Sequence, residues 1–433
     1  MVHKNTYKVK NPKNLATLQI HGGQEIDATG ASVVPIYQTT SYIFDSPQQA
    51  ANRFMLTEGG NIYTRLTNPT TQALEARLAA IEGGTAAYAT SCGLAAIFYT
   101  VLNITKLGDN IVSGNNLYGG TFELFENTLK ELGREVICVD STDVNAFAEA
   151  INDKTKGIYV ESIGNPKLDV PDFDALAEIA HSNGIPLIVD NTSGIGTIRP
   201  FDHGADIISS SCTKWIAGHG STMGGIVIEK GDFPWDNGKF PLMTDPDPTY
   251  NGLNFYPTFG SAAFTTRIRA TLGRDTGAIP GPFGSWCILE GLETLDIRIQ
   301  RHAENAMAMA EFLKDHPKVE WVNYPGLEDC ETHKNASKYC ERGYGGVVTF
   351  GVKGGAKAAD EFCEEIELCS FLVNIGDVKS LITHPASTTH SQLTEEEQIA
   401  NGVYPELIRF AVGTEDIEDI KADVDQALNK MNV

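Results

Sequence analysis

Lys214 closes the run Ser209-Ser210-Ser211-Cys212-Thr213-Lys214, which follows an apolar stretch and precedes the turn Gly218-His219-Gly220. A lysine so placed can anchor a phosphate, form a Schiff base through its amine or simply face water. The hydroxyls and glycines around it favour a small anionic ligand nearby. Asp190 ends the apolar stretch Pro186–Val189 and leads into Asn191-Thr192-Ser193-Gly194. Its carboxylate can orient a ligand nitrogen or cap the turn that follows. Ser91-Cys92-Gly93-Leu94 joins a strand to a helix whose first amides can hold a phosphate, although an ordinary turn is the plainer account. Tyr118 stands before Gly119-Gly120, so its ring can project into a pocket or pack in a core. Arg65 lies in the polar segment Tyr63-Thr64-Arg65-Leu66-Thr67-Asn68-Pro69. Arg409, between Ile408 and Phe410, needs a counter-anion if enclosed, either a substrate carboxylate or an internal Asp or Glu. His384 and His390 are of metal-ligating type but lack carboxylate and spacing partners, so no metal is expected. Neither a Walker A loop nor a dinucleotide glycine fingerprint is present.

Seven short apolar runs alternate with helical patterns from Thr70 onward. The expected strands are Ala86–Ala89, Asn110–Ser113, Glu135–Val139, Gly157–Val160, Pro186–Val189, Ile207–Ser209 and Gly224–Ile228. Helices are expected at Thr71–Glu82, Leu94–Leu102, Thr121–Leu132, Val144–Asn152 and Phe173–Ser182. That alternation predicts an α/β fold with a mostly parallel seven-stranded sheet covered by helices on both faces. Ligands of such sheets gather beyond the carboxyl ends of the strands, where Asp190 and Lys214 fall. Residues 1–67 read as a loosely patterned N-terminal arm with one helix near Gln48–Met55. Its Ile36, Tyr37, Tyr42, Ile43 and Phe44 call for burial, with a neighbouring subunit as the favoured target and its own domain as the alternative. A large domain follows over 68–284, with an aromatic, proline-rich insertion at about 233–259. A smaller C-terminal α/β domain, 285–433, carries helices over Ser285–Leu313 (broken near Leu295), Ala356–Leu368 and Ile417–Leu428. Its strands are expected at Val319–Trp321, Val347–Gly351 and Ile408–Val412.

The chain of 433 residues is too long for one hydrophobic core, and its 42% hydrophobic content rules out disorder as the main state. A formal charge of −23 repels polyphosphates, so no nucleic acid is expected as principal partner. No apolar run is long enough for a membrane span, and the lysine-rich start lacks the apolar region of a signal peptide. The eight cysteines form no CxxC pair and read as free thiols, buried or half-buried, in a reducing cytoplasm.

Taken together and in this order, these residues resemble the pyridoxal-phosphate enzymes of cysteine and methionine metabolism, from about Leu18 to Ala427. The resemblance implies the fold type I, aspartate aminotransferase-like architecture and pyridoxal 5′-phosphate as cofactor. It implies that Lys214 carries the cofactor as a Schiff base, that Asp190 pairs with the pyridine nitrogen and that Tyr118 stacks on the ring and assists proton transfer. Gly93 and Leu94 amides and the Ser211 and Thr213 hydroxyls would bind the phosphate, joined by Tyr63 and Arg65 from a neighbouring subunit. Asn165, within Glu161-Ser162-Ile163-Gly164-Asn165-Pro166, would lie near the phenolic oxygen, and Arg409 would clamp the substrate carboxylate. Tyr63 and Asn374 would also meet the substrate.

Asn374-Ile375-Gly376-Asp377, the run from Ser380 to His390 and the aromatic insertion are similar to the O-acetylhomoserine sulfhydrylase branch of that family. This likeness implies γ-replacement: sulfide displaces acetate from O-acetyl-L-homoserine and gives homocysteine. A γ-lyase or a cystathionine γ-synthase-type transfer is the alternative, and a non-catalytic relative would have lost Lys214, Asp190 or Arg409. A homotetramer, a dimer of active-site dimers, is implied as well. Two positions depart from the usual family pattern, Ser210-Ser211-Cys212 and Trp215, and neither removes a catalytic group.

Overall fold

The computed structural model describes residues 14–389, 391, 394–400 and 402–432. Seven strands, β1 Ala86–Thr90, β2 Asn110–Gly114, β3 Glu135–Val139, β4 Thr155–Glu161, β5 Leu187–Asp190, β6 Ile207–Ser211 and β7 Gly225–Glu229, form one sheet in the order β1-β7-β6-β5-β4-β2-β3. All run parallel except β7, which is antiparallel to both β1 and β6. The reversal follows from its connection. A parallel return needs a crossover, usually a helix, whereas the chain from Cys212 to Gly224 is built of turns. The first helices are α1 Leu15–His21, α2 Pro47–Phe54, α3 Pro69–Glu82, α4 Gly93–Ile104, α5 Gly119–Glu123, α6 Val144–Ala150 and α7 Phe173–Ser182, of which α3, α4, α6 and α7 pack on the strands of this sheet. α3 begins where the Asn68 carboxamide accepts the Thr70 N–H at 3.0 Å, and it stops at Gly83, whose φ of +83° is left-handed.

α1 was not foreseen. Its Leu15 and Leu18 join the main core, and Gln19 accepts the Asp296 N–H at 2.7 Å, so this part of the arm packs on its own chain. Ile43 at 96% and Val33 at 56% exposed are left uncovered within the chain. α5 runs on into a wider π-type turn, Leu124–Leu129, inside the helix expected at Thr121–Leu132. The aromatic insertion is ordered by ring packing: Trp235 stacks on Phe264 with centroids 5.3 Å apart, and Phe240 meets Trp235 edge-on at 5.0 Å. Short helical turns at Pro241–Thr244, Pro248–Tyr250 and Phe255–Phe259 lie within or beside it.

A second sheet holds β8 Val319–Asn323, β9 Val347–Val352, β10 Ser370–Phe371, β11 Leu381–Thr383 and β12 Leu407–Ala411, in the order β10-β11-β12-β9-β8. The one or two helices expected over Ser285–Leu313, bent or broken near Leu295, are two, α8 Pro282–Leu292 and α9 Leu295–Lys314, with the break just before Leu295. α9 stitches the two cores: Leu295 and Ile299 belong to the first, Ala306, Met309, Ala310 and Leu313 to the second. α10 Gly355–Glu365 ends before the expected Leu368, which is exposed, and α11 Ile417–Lys430 closes the chain.

Candidate active site

Three strands of the large sheet end side by side in polar residues. In the parallel register Asp190 of β5 lies opposite Glu161 of β4 and Ser209 of β6. Lys214 follows β6 by three residues. Its turn is held from behind by Arg298 of α9, whose guanidinium donates to the carbonyls of Trp215 at 2.7 Å, Ile216 at 3.2 Å and Gly291 at 2.7 Å. Arg409 comes from the other sheet, at the centre of β12, paired with Thr383 of β11 and Thr349 of β9. Asn374 lies in the connection between β10 and β11.

These groups surround a cavity of about 320 Å³. Its wall includes Gly93, Leu94, Tyr118, Asn165, Asp190, Ser211, Thr213, Lys214, Asn374 and Arg409, so ten of the residues singled out from sequence share one space. Tyr63 and Arg65 are not among its lining residues. The Arg65 guanidinium donates to the Arg274 carbonyl and lies 5.5 Å from the centroid of the Tyr63 ring.

The phosphate-sized end is made by backbone. α4 starts at Gly93 with no side-chain cap from Cys92, which leaves its first amides free for an anion. A Cβ on Gly93 would come within 2.7 Å of the Ser211 Cβ, so only glycine lets the helix start approach β6 this closely. Two cations, the buried Arg409 and the half-buried Lys214, line the same cavity. Lys214 Nζ donates to Asn374 Oδ1 at 2.5 Å, and burial, then the Arg409 charge, pushes its pKa down from 10.5 to about 8. Arg409 is 4% exposed, and among the described residues its hydrogen bonds are three long ones, to Asn165 Oδ1 at 3.3 Å, the Asn374 carbonyl at 3.4 Å and Thr383 Oγ1 at 3.4 Å. Its Nε has no partner, and burial pushes its pKa down to about 10. Among the described residues no carboxylate pairs with Arg409, so the internal counter-ion allowed by sequence is not there.

Asp190 is buried, and desolvation raises its pKa while hydrogen bonds oppose the rise. It accepts the Tyr159 hydroxyl at 3.1 Å and the Thr192 N–H at 2.9 Å. Sequence reasoning missed Tyr159, Thr192 and Glu161. Glu161 stood in a quoted motif at a strand end, the one signal that could have drawn attention to it. Trp215 is explained by its neighbour: Gly376, at φ +71°, lies so close that a Cβ there would meet the Trp215 backbone and ring at 2.6 Å. His384 is structural, bonded to Asp360 Oδ1 at 2.9 Å and to the Pro405 carbonyl at 2.8 Å. That carboxylate, supplied by α10, was not visible from the local spacing. His390 lies outside the described residues. All eight cysteines are free and buried or half-buried, and no helix among the described residues is long and apolar enough to cross a membrane.

An amine with lowered basicity, uncapped helix amides beside two hydroxyls and a buried carboxylate line one cavity, a set of groups that matches a small ligand carrying a carbonyl, an anionic group and a basic nitrogen. The family model for Cys/Met metabolism pyridoxal-phosphate-dependent enzymes matches residues 16–429, and the chain belongs to that family. It is 50% identical over 421 residues to the homocysteine synthase of Schizosaccharomyces pombe, covering 96% of this chain and 98% of that one. It is 49% identical over 433 residues to the O-acetyl-L-homoserine sulfhydrylase of Leptospira meyeri, covering 97% and 98%. A crystal structure described as that of an O-acetylhomoserine (thiol)-lyase from Campylobacter jejuni superposes with a TM-score of 0.94 at 40% identity, over 96% of this chain and 100% of that one. That structure holds N′-pyridoxyl-lysine-5′-monophosphate. The fold is therefore type I of the pyridoxal-phosphate enzymes. The cavity fits the cofactor on its own chemistry: Lys214 suits the aldehyde, Asp190 the ring nitrogen and the start of α4 the phosphate.

Proposed function

We propose that this enzyme transfers sulfide onto O-acetyl-L-homoserine, releasing acetate and L-homocysteine. The observation that carries the reading is the enclosed Arg409, with an unpartnered Nε and no internal acid, next to an amine of lowered basicity. An α-amino acid offers what that pair lacks: a carboxylate for the guanidinium fork and a Cα proton for the amine.

When bound, pyridoxal phosphate supplies an electron sink for charge developing beside the amino group. Lys214, Asp190, Tyr118, Asn165, Gly93, Leu94, Ser211 and Thr213 hold it, with Tyr63 and Arg65 of a neighbouring subunit completing the phosphate end. Arg409 fixes the substrate carboxylate and so aims Cα at Lys214. Lys214 has its lone pair available near neutrality because burial and Arg409 both disfavour its charged form. It takes the Cα proton and returns one after exchange at Cγ. Asn374 Oδ1 accepts a hydrogen bond from Nζ, which steers the amine. Tyr118 covers the cavity and assists the proton shifts, while Tyr63 and Asn374 border the substrate. At Cγ the C–O bond to acetate breaks and the C–S bond to sulfide forms, so charge and atoms balance without an oxidant. The need for Tyr63 and Arg65 in trans makes the active unit a dimer, with a homotetramer as the complete assembly. The free thiols suit a reducing cytoplasm.

The test supplies cofactor-loaded enzyme with O-acetyl-L-homoserine and sulfide and quantifies homocysteine against 2-oxobutyrate. Mostly homocysteine is expected. Mostly 2-oxobutyrate would make it a γ-lyase, and neither product would overturn the choice of acyl donor.

A further inference from the structure

Glu161 and Asp190 sit directly opposite each other at the ends of neighbouring parallel strands, and both line the cavity. Tyr159, two residues before Glu161 on β4, shares its face, and its hydroxyl reaches Asp190 at 3.1 Å. Two carboxylates at facing positions of neighbouring strands, both shielded by the cavity wall, cannot both ionise cheaply. Their hydrogen bonds decide which one holds the charge. Asp190 accepts the Tyr159 hydroxyl and the Thr192 amide, and Thr192 adds its own hydroxyl. Glu161 receives chiefly the Tyr118 N–H, at 2.7 Å, with the Asn165 amide as a lesser donor.

We propose that Glu161 is a positioning residue that carries the proton of this acid pair, leaving Asp190 as the single anion, and that it fixes Tyr118 over the cavity through the Tyr118 amide. The inference rests on the proposed pairing of Asp190 with the cofactor's ring nitrogen. The division of charge follows from the groups that face Glu161. Asp190 repels its charge from β5, the Tyr159 hydroxyl flanks it on β4, and Tyr118 and Cys92 border the same cavity. The cations Lys214 and Arg409 line the same cavity from the later part of the chain, where Lys214 donates to Asn374 and Arg409 reaches Asn165 Oδ1 at 3.3 Å. Burial and the Asp190 charge both push the Glu161 pKa well up, in agreement with a protonated side chain. The amide it accepts belongs to the residue just before α5, so the carboxyl sets where that helix begins and where the Tyr118 ring leaves the backbone.

The experiment compares the cofactor-loaded enzyme with E161Q, E161A and D190N. It follows the visible absorption of the lysine-linked cofactor against pH and the rate of cofactor loss on dilution. Glutamine copies a protonated glutamate. In E161Q the midpoint of the absorption change should stay within about 0.3 pH unit of the parent, and in D190N it should move by about one unit or more. E161A should lose cofactor roughly tenfold faster, with E161Q restoring most of the retention, as expected when a neutral acceptor for the Tyr118 amide is what matters. An E161Q midpoint that moves as far as that of D190N would overturn the proposal, because a needed negative charge would have been removed. So would an E161Q as leaky as E161A. If D190N leaves the midpoint unchanged, the Asp190 pairing fails instead, and retention in E161Q against E161A still judges the anchoring of Tyr118. Should E161A not fold, the melting temperature of E161Q against pH decides. A raised acid destabilises the fold as pH rises, so E161Q should show a flatter decline. An unchanged slope would overturn the proposal.

Discussion

Two regions of this molecule bury arginine in opposite ways. Around α3, Arg77 is 1% exposed and fully engaged: it donates to the Gly22 carbonyl at 3.2 Å, to Gln24 at 3.1 Å and to Glu293 at 3.1 Å. Nearby Arg269 pairs with Glu75 at 2.8 Å, donates to the Leu66 carbonyl at 2.9 Å and lies over the Tyr88 ring at 4.9 Å. In the cavity, Arg409 and Lys214 are enclosed to a similar degree but meet amides and a hydroxyl instead of acids. The desolvation of charge is thus compensated within the chain in one place and left open in the other. Arg77 and Arg269 have acids within the chain, Arg298 has three carbonyls, and Arg409 has amide and hydroxyl oxygens alone among the described residues; on the proposed function, a substrate carboxylate supplies the missing anion.

Four outcomes would sharpen or break that contrast. Lys214→Ala should lower kcat by about 10³- to 10⁴-fold, the scale of a lost general base, measured as homocysteine formation. Arg409→Met should lower kcat/KM for the amino acid by about 10²-fold, mostly through KM, because charge-assisted hydrogen bonds contribute roughly 1.5–3 kcal/mol each. The same variant should unfold in denaturant no more easily than the parent, since it removes a buried charge without an acid partner. A clear loss of stability there would erase the distinction between the two regions. Arg77→Met should do the reverse, with about 1–3 kcal/mol lost in unfolding free energy and unaltered kcat and KM.

The smallest effect concerns pH. Lys214 titrates in the folded protein near 8 and ordinarily at 10.5, so across that window the unfolded chain binds more protons and stability of the cofactor-free protein gains with rising pH. Removing the Arg409 charge should raise the folded pKa by less than about one unit, narrow the window and shrink this gain. Thermal melts of the cofactor-free proteins from pH 7 to 10 would read it, and an equal gain in both would remove Arg409 from the causes of the lowered basicity.

Asp190 and Lys214 were legible as polar residues at or just past apolar strands, Arg409 as a charge inside one, and Tyr118 by the glycine pair that follows it. Val189, Ile208 and Ile408 are all fully buried, and the polar residues after or within such runs are conspicuous. β7 gave away its place but not its direction, since a buried strand reads the same both ways. β10 and β11, of two and three residues, are too short for any period to show. α1 was hidden because its burial depends on α3 and α9, far along the chain. Glu161 was invisible for a different reason. Its charge state depends on Asp190, on the neighbouring strand, and sequence records neither that proximity nor the dryness around it. The roles that came through resemblance, such as the Asn374 contact, needed a family pattern because nothing local marks a carboxamide in a loop.

The division of the site between two sheets has a consequence for synthesis. Arg409 lies on β12, the last strand among the described residues, far along the chain from Asp190 and Lys214. Its hydrogen bond to Asn165 spans 244 positions. A growing chain can complete the seven-stranded sheet, with Lys214, Asp190 and the start of α4, long before Arg409 leaves the ribosome. Domains form as units during synthesis, earlier ones first. With the roles proposed above, a partly made chain would hold the cofactor-facing residues before the arginine proposed to hold the substrate carboxylate, and so could not yet grip an amino acid.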